Sequence, residues 1–106
     1  MTLRIYAVVI KMLRLLRPVI AQIAKHDAGL ADQTKRAGQS VALNTGEGAY
    51  SQGRNVRARF HTALGSAGEI RSCLDVALAF GYIEDVDPEL LDKLDHIIAT
   101  LYRLTH

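Results

Sequence analysis

Four histidines, a serine between small residues, one cysteine and two well-separated glutamates are the side chains with which this sequence could do chemistry. His26, His61, His96 and His106 would hold a metal best in pairs one helical turn apart, and no His-x-x-x-His or Glu-x-x-His spacing occurs. Ser66, in GSAGE, lies mid-way along a helical pattern, where the strained strand-to-helix turn that exposes a nucleophilic serine cannot form. Cys73 sits among apolar residues, so a small core side chain is expected rather than a reactive thiol. With no second cysteine there is no internal disulfide, which fits a reducing compartment. Glu47 and Glu69 could act as an acid/base pair, but in an antiparallel hairpin turning near Ser51 they fall opposite Arg54 to Arg57 and Gln33 to Arg36. Ion pairs are therefore expected instead, Glu69 with Arg36 and Glu47 with Arg54 or Arg57. The run TGEGAYSQGRN from Thr45 to Asn55 has the glycine and polar content of a loop. It lacks the patterns and the preceding strand of a phosphate cradle. No acid, base, nucleophile or metal set converges, so a protein that is not an enzyme and needs no cofactor is expected.

The elements that position these residues are helices. Phe60, Ala63, Leu64, Ala67, Ile70, Leu74, Ala77 and Leu78 recur at three- and four-residue steps within FHTALGSAGEIRSCLDVALAFGY, one stripe of a buried helix. Thr62, Ser66, Glu69, Cys73, Val76 and Phe80 form a second flank, so neighbours are expected on two sides. A first helix is expected from Leu3 to about His26, with Pro18 producing a kink. Its apolar sector, Ile5 through Ile23, is wider than one partner needs; either it lies deep in a bundle or part of it meets another subunit, the reading preferred for so short a chain. Lys11, Arg14 and Arg17 interrupt the stretch before it could span a membrane, and it lacks the unbroken apolar core of a signal peptide, so a cytoplasmic protein is expected. A basic amphipathic helix can also lie on a membrane surface, but core packing accounts for this one more simply.

A second helix is expected from Leu30 to about Thr45 or Gly46, with small inner residues Thr34, Ala37, Gly38, Val41, Ala42 and Thr45 that permit close packing. Gly81 should end the third helix in the left-handed conformation. Asp87 as N-cap, Pro88, Glu89 and Asp92 should start a fourth, whose stripe runs from Leu90 to Leu104. With 106 residues, 49% apolar and almost no period-two alternation, the expectation is a single all-α domain over 1–106, an up-down-up-down four-helix bundle.

Two motifs resemble those of a known family, the small bacterial four helix bundle proteins that include the 23S rRNA intervening-sequence proteins and, distantly, the accessory variability proteins of diversity-generating retroelements. SVALNTGEG matches the first with Ser40, Asn44, Glu47 and Gly48. The second is matched by Phe60, Gly65, Ser66, Glu69, Leu74, Ala77, Gly81 and Tyr82, with Ala63 and Leu64 in the small and apolar places before the glycine. Tryptophan, common in helix one of such proteins, is absent here, and Ala42 replaces a proline, which implies a straighter helix two. The resemblance implies a homopentameric, barrel-like assembly, no catalytic activity, and a role in binding nucleic acid or a partner protein.

The net charge of +2 conceals an asymmetry: ten Lys/Arg against three Asp/Glu up to residue 68, then three against eight. The bundle topology would gather Arg4, Arg54, Arg57, Arg59 and Arg103 at one end, with Glu47 almost their only counter-charge, and Asp75, Glu84, Asp85, Asp87, Glu89 and Asp92 at the other. The helix dipole disfavours Arg54 and Arg57 at the start of helix three, so local helix stability is not expected to explain them. An oligomeric scaffold that binds RNA or DNA through this basic surface is the leading expectation; the alternative is a protein-interaction adaptor whose charge only keeps it soluble.

Overall fold

The computed structural model of the chain describes residues 2–50 and 55–106, with side chains from Arg4 onward. Four helices, α1 (Thr2–Ala24), α2 (Ala28–Tyr50), α3 (Asn55–Ala79) and α4 (Pro88–Thr105), are the regular elements, and no strand occurs among the described residues. Neighbours in sequence are neighbours in space, and α4 closes the ring against α1, which makes an up-down-up-down bundle about 43 Å long and 24 × 21 Å across. Among the described residues no helix is long and apolar enough to cross a membrane.

The periodic stripes become the core. Ile5, Val9, Met12, Leu16 and Ile23 from α1, Val41 and Ala42 from α2, Phe60, Ala63, Ala67, Ile70 and Leu74 from α3, and Leu90, Leu94, Ile97 and Leu101 from α4 are all buried. Cys73 is buried with them, as a core residue. The alanines of α2 and α3 are what let these two helices approach closely.

The junctions follow from capping chemistry. Asp27 accepts a hydrogen bond from the Leu30 amide at 2.9 Å, so it caps α2, which starts at Ala28 rather than at Leu30. Gly81 has φ 73°, and the amides of Gly81 and Tyr82 donate to the carbonyls of Leu78 and Ala77, the paired bonds that close a helix through a left-handed residue. Asp87 caps α4 through the Glu89 amide, with Pro88 next.

One expectation of the fold needs correcting. Helix α2 continues through Gly46 and Gly48 to Tyr50 instead of stopping near Thr45. The glycines serve packing, not a loop: a Cβ on Gly46 would lie 3.1 Å from the Tyr6 ring, and one on Gly48 only 2.6 Å from the Phe60 ring. The apolar sector of α1 divides: Ile5, Val9, Met12, Leu16 and Ile23 lie in the core, and the apolar residues beside them stay partly exposed. Val8, Leu13, Leu15, Val19 and Ile20 are half-buried against the core, while the exposed large apolar side chains, among them Leu43, Tyr50, Phe80 and Tyr102, lie on α2, α4 and the end of α3. As the sequence implies, Pro18 does not stop α1, which continues past it to Ala24.

Candidate nucleic-acid interface

The starts of α1 and α3 and the finishes of α2 and α4 share one end of the bundle, which brings residues remote in sequence together. Arg4, Arg57, Arg59 and Arg103 are exposed there, and Arg54 lies outside the described residues. Glu47 is exposed nearby on α2. At the opposite end Asp75, Glu84, Asp85, Asp87, Glu89 and Asp92 are all exposed. The two ends thus differ in sign, as the charge distribution along the chain implies.

Arg57 has a local structural role that the dipole consideration alone conceals. Its Nε and Nη2 donate to the Thr105 carbonyl at 3.0 and 2.5 Å, satisfying a carbonyl that the end of α4 leaves without an intrahelical partner. A cation there meets the negative end of the α4 dipole, which offsets its unfavourable place at the start of α3. Arg103 donates to Thr100 Oγ1 at 3.3 Å on its own helix and remains exposed.

Aromatic rings share this end with the arginines, a feature that helix periodicity does not predict. Tyr6 and Tyr50 meet edge to face with centroids 6.5 Å apart where α1 adjoins α2. Across the bundle, Tyr102 and His106 stack at 4.0 Å, and His61 lies 6.2 Å from His106. Hydrogen bonds from His106 Nδ1 to Thr105 Oγ1 (3.0 Å) and the Tyr102 carbonyl (3.2 Å) hold that imidazole in place. Arg57, His61, Thr105 and His106 line an open depression of about 510 Å³. The hint in the sequence is that tyrosines and histidines fall within a turn or two of the helix termini that share this end.

The family-like motif residues do different work. Ser40 and Ser66 share a 2.6 Å hydrogen bond across α2 and α3, and Asn44 Nδ2 donates to the Ser40 carbonyl at 2.9 Å and the Ser40 hydroxyl at 3.2 Å. The serine hydroxyl thus belongs to a polar pin between helices, with no histidine or carboxylate to activate it. Gly48 admits the Phe60 ring, whereas Gly65 has nothing within 4 Å of where its Cβ would be. Glu69 is placed in the expected register but pairs differently: it is exposed and accepts from Gln33 Nε2 at 3.3 Å, while Arg36 turns to Asp32 on its own helix at 2.9 Å. The acid one turn away is nearer to Arg36 than the neighbouring helix is, so the expected Arg36–Glu69 pair does not form. Glu47 likewise has no ion pair among the described residues, where Arg36–Asp32 and Arg71–Asp95 are the pairs present.

At the acidic end Tyr82 stacks between His26 and Phe80, at 5.3 and 5.6 Å. Its hydroxyl is pushed above the ordinary 10.0 by partial desolvation, then by the negative charge of Asp27 and a hydrogen bond to it. Among the described residues no three His, Cys, Asp or Glu side chains converge as metal ligands.

Comparison with curated proteins and with solved structures gave no match. A family model described as 23S rRNA-intervening sequence protein matches residues 2–103, almost the whole length. Helix order and match length agree: the chain belongs to the 23S rRNA-intervening sequence protein family.

Proposed function

We propose that this protein is a non-enzymatic oligomeric scaffold that binds RNA or DNA through the basic end of its bundle. The observation that carries the reading is the segregation of charge: Arg4, Arg57, Arg59 and Arg103 are exposed at one end and six carboxylates at the other. Exposed arginines that track phosphates give affinity without sequence information, and among the described residues no strand ribbon stands at this end to read bases. The family resemblance implies five subunits, and a closed ring would join the arginines of successive copies into a continuous rim.

The test is fluorescence anisotropy with labelled RNA and DNA at two salt concentrations, using wild type and an Arg4→Ala/Arg59→Ala/Arg103→Ala variant. Arg57 is left in place because it also caps α4. Wild type should bind with a steep loss of affinity as salt rises. The variant should bind more weakly, with a slope lower by up to about 0.7 to 0.9 for each phosphate that is no longer neutralised. Light scattering on the same samples should give a multiple of the 11.6 kDa chain. Absence of binding at low salt would leave the adaptor reading, to which exposed Leu43 and Phe80 would then be relevant.

A further inference from the structure

We infer that the basic end takes single-stranded nucleic acid in preference to duplex, with bases stacked on the tyrosines that share it with the arginines; this rests on the reading of that end as a nucleic-acid surface. Charge alone favours the opposite choice. A duplex carries about one phosphate per 1.7 Å and a stacked single strand about one per 3.4 Å, so a surface made only of arginines attracts duplex more strongly. The rings change the balance. Tyr50 is 72% exposed and Tyr102 is 55% exposed, large values for side chains that could have been drawn into the core. Both rings are held: Tyr50 packs edge to face on Tyr6, and Tyr102 stacks against an imidazole that is itself hydrogen-bonded to Thr105. A base stacking on a ring that is already oriented costs little ordering, and such stacking is indifferent to base identity. Bases in a duplex are inside the stack and present only their edges, so these rings have nothing to receive from it.

The placement also matches a strand's reach. The Tyr6–Tyr50 pair lies where α1 adjoins α2 and the Tyr102–His106 pair at the finish of α4, so both platforms belong to one end of a bundle 24 × 21 Å across. At about 3.4 Å per stacked nucleotide, roughly seven nucleotides span that width, at an end that also exposes Arg59 and Arg103. The acidic end has a comparable His26–Tyr82–Phe80 stack, but Glu84, Asp85 and Asp87 beside it repel phosphate.

The experiment compares a 12-nucleotide oligouridine with a 12-base-pair RNA duplex by anisotropy at one salt concentration, for wild type and for Tyr50→Ala/Tyr102→Ala and Tyr50→Phe/Tyr102→Phe. Wild type should hold the single strand at least tenfold more tightly than the duplex. The alanine pair should lose roughly tenfold per ring on the single strand, with duplex binding and salt slope unmoved, and the phenylalanine pair should stay within about threefold of wild type. Equal or tighter binding of the duplex overturns the inference while leaving the basic surface intact; so does an alanine pair that binds the single strand like wild type. No binding of either nucleic acid overturns both.

Discussion

Replacing Gly48 by alanine adds one methyl group, and its effect follows from three distances. The new Cβ would lie 2.6, 2.9 and 2.9 Å from three carbons of the Phe60 ring, closer than carbon atoms tolerate. The ring is 3% exposed and rigid, so it cannot withdraw as the tip of a flexible side chain would; α2 and α3 must separate or the ring must leave its rotamer. Overpacking of this kind costs about 1 to 3 kcal/mol, and the absence of any yielding neighbour places this case in the upper half. Alanine returns about 1 kcal/mol through its better helix preference, which leaves a net loss of about 1 to 2 kcal/mol. Gly65→Ala is the control: the same chemical change on α3 meets nothing within 4 Å, so only the helix preference remains, a gain of about 0.5 to 1 kcal/mol. The two variants should therefore differ by about 2 kcal/mol, roughly 8 to 16 °C in melting midpoint by circular dichroism at fixed protein concentration. Phe60→Leu makes room, so Gly48→Ala should cost less in that background than in wild type. Midpoints within a degree or two of each other, or a Gly48→Ala protein that melts above wild type, would refute the packing role assigned to Gly48.

Other consequences are smaller but as specific. Ser40→Ala or Ser66→Ala should each cost about 1 kcal/mol by leaving the other hydroxyl without its cross-helix partner, and the double variant should be no worse than either single one; additive losses in urea unfolding would contradict this. Thr45 is fully buried with a hydroxyl that meets no partner, so Thr45→Val should raise stability by about 1 kcal/mol, and a fall in the urea midpoint would show that the hydroxyl is bonded. Tyr82 should ionise above 10.0 in an absorbance titration followed by difference against Tyr82→Phe. Because its folded value exceeds the unfolded one, its contribution to stability is complete below about pH 10 and is lost as pH rises through the folded value. Asp27→Asn keeps a capping side chain but removes the charge, so it should lower the Tyr82 value toward 10.0; an unchanged titration would remove Asp27 from the account.

Helix periodicity made the four elements and most of the core legible, because each stripe has to be buried whatever its partners are. The end of α2 was not legible: Gly46, Gly48 and their polar neighbours have a loop's composition, and only the rings of Tyr6 and Phe60, remote in sequence, show why glycine stands there. Register survived better than partners. Glu69 does face Gln33 across the helices, yet Arg36 is taken by Asp32 within its own helix. Charge segregation between the ends was readable from topology. The cap that Arg57 places on α4 and the rings at the same end as the arginines depend on where helices stop, which periodicity places least accurately.

The central claim is that the basic end receives nucleic acid, and photocrosslinking tests it most directly. An oligouridine carrying 4-thiouridine, bound to the full chain at low salt and irradiated, should leave adducts on peptides that contain Tyr50, Tyr102 and Arg59, and these should vanish as salt rises. Adducts concentrated on Phe80 and Tyr82 at the acidic end, or spread evenly over the bundle and indifferent to salt, would contradict the account.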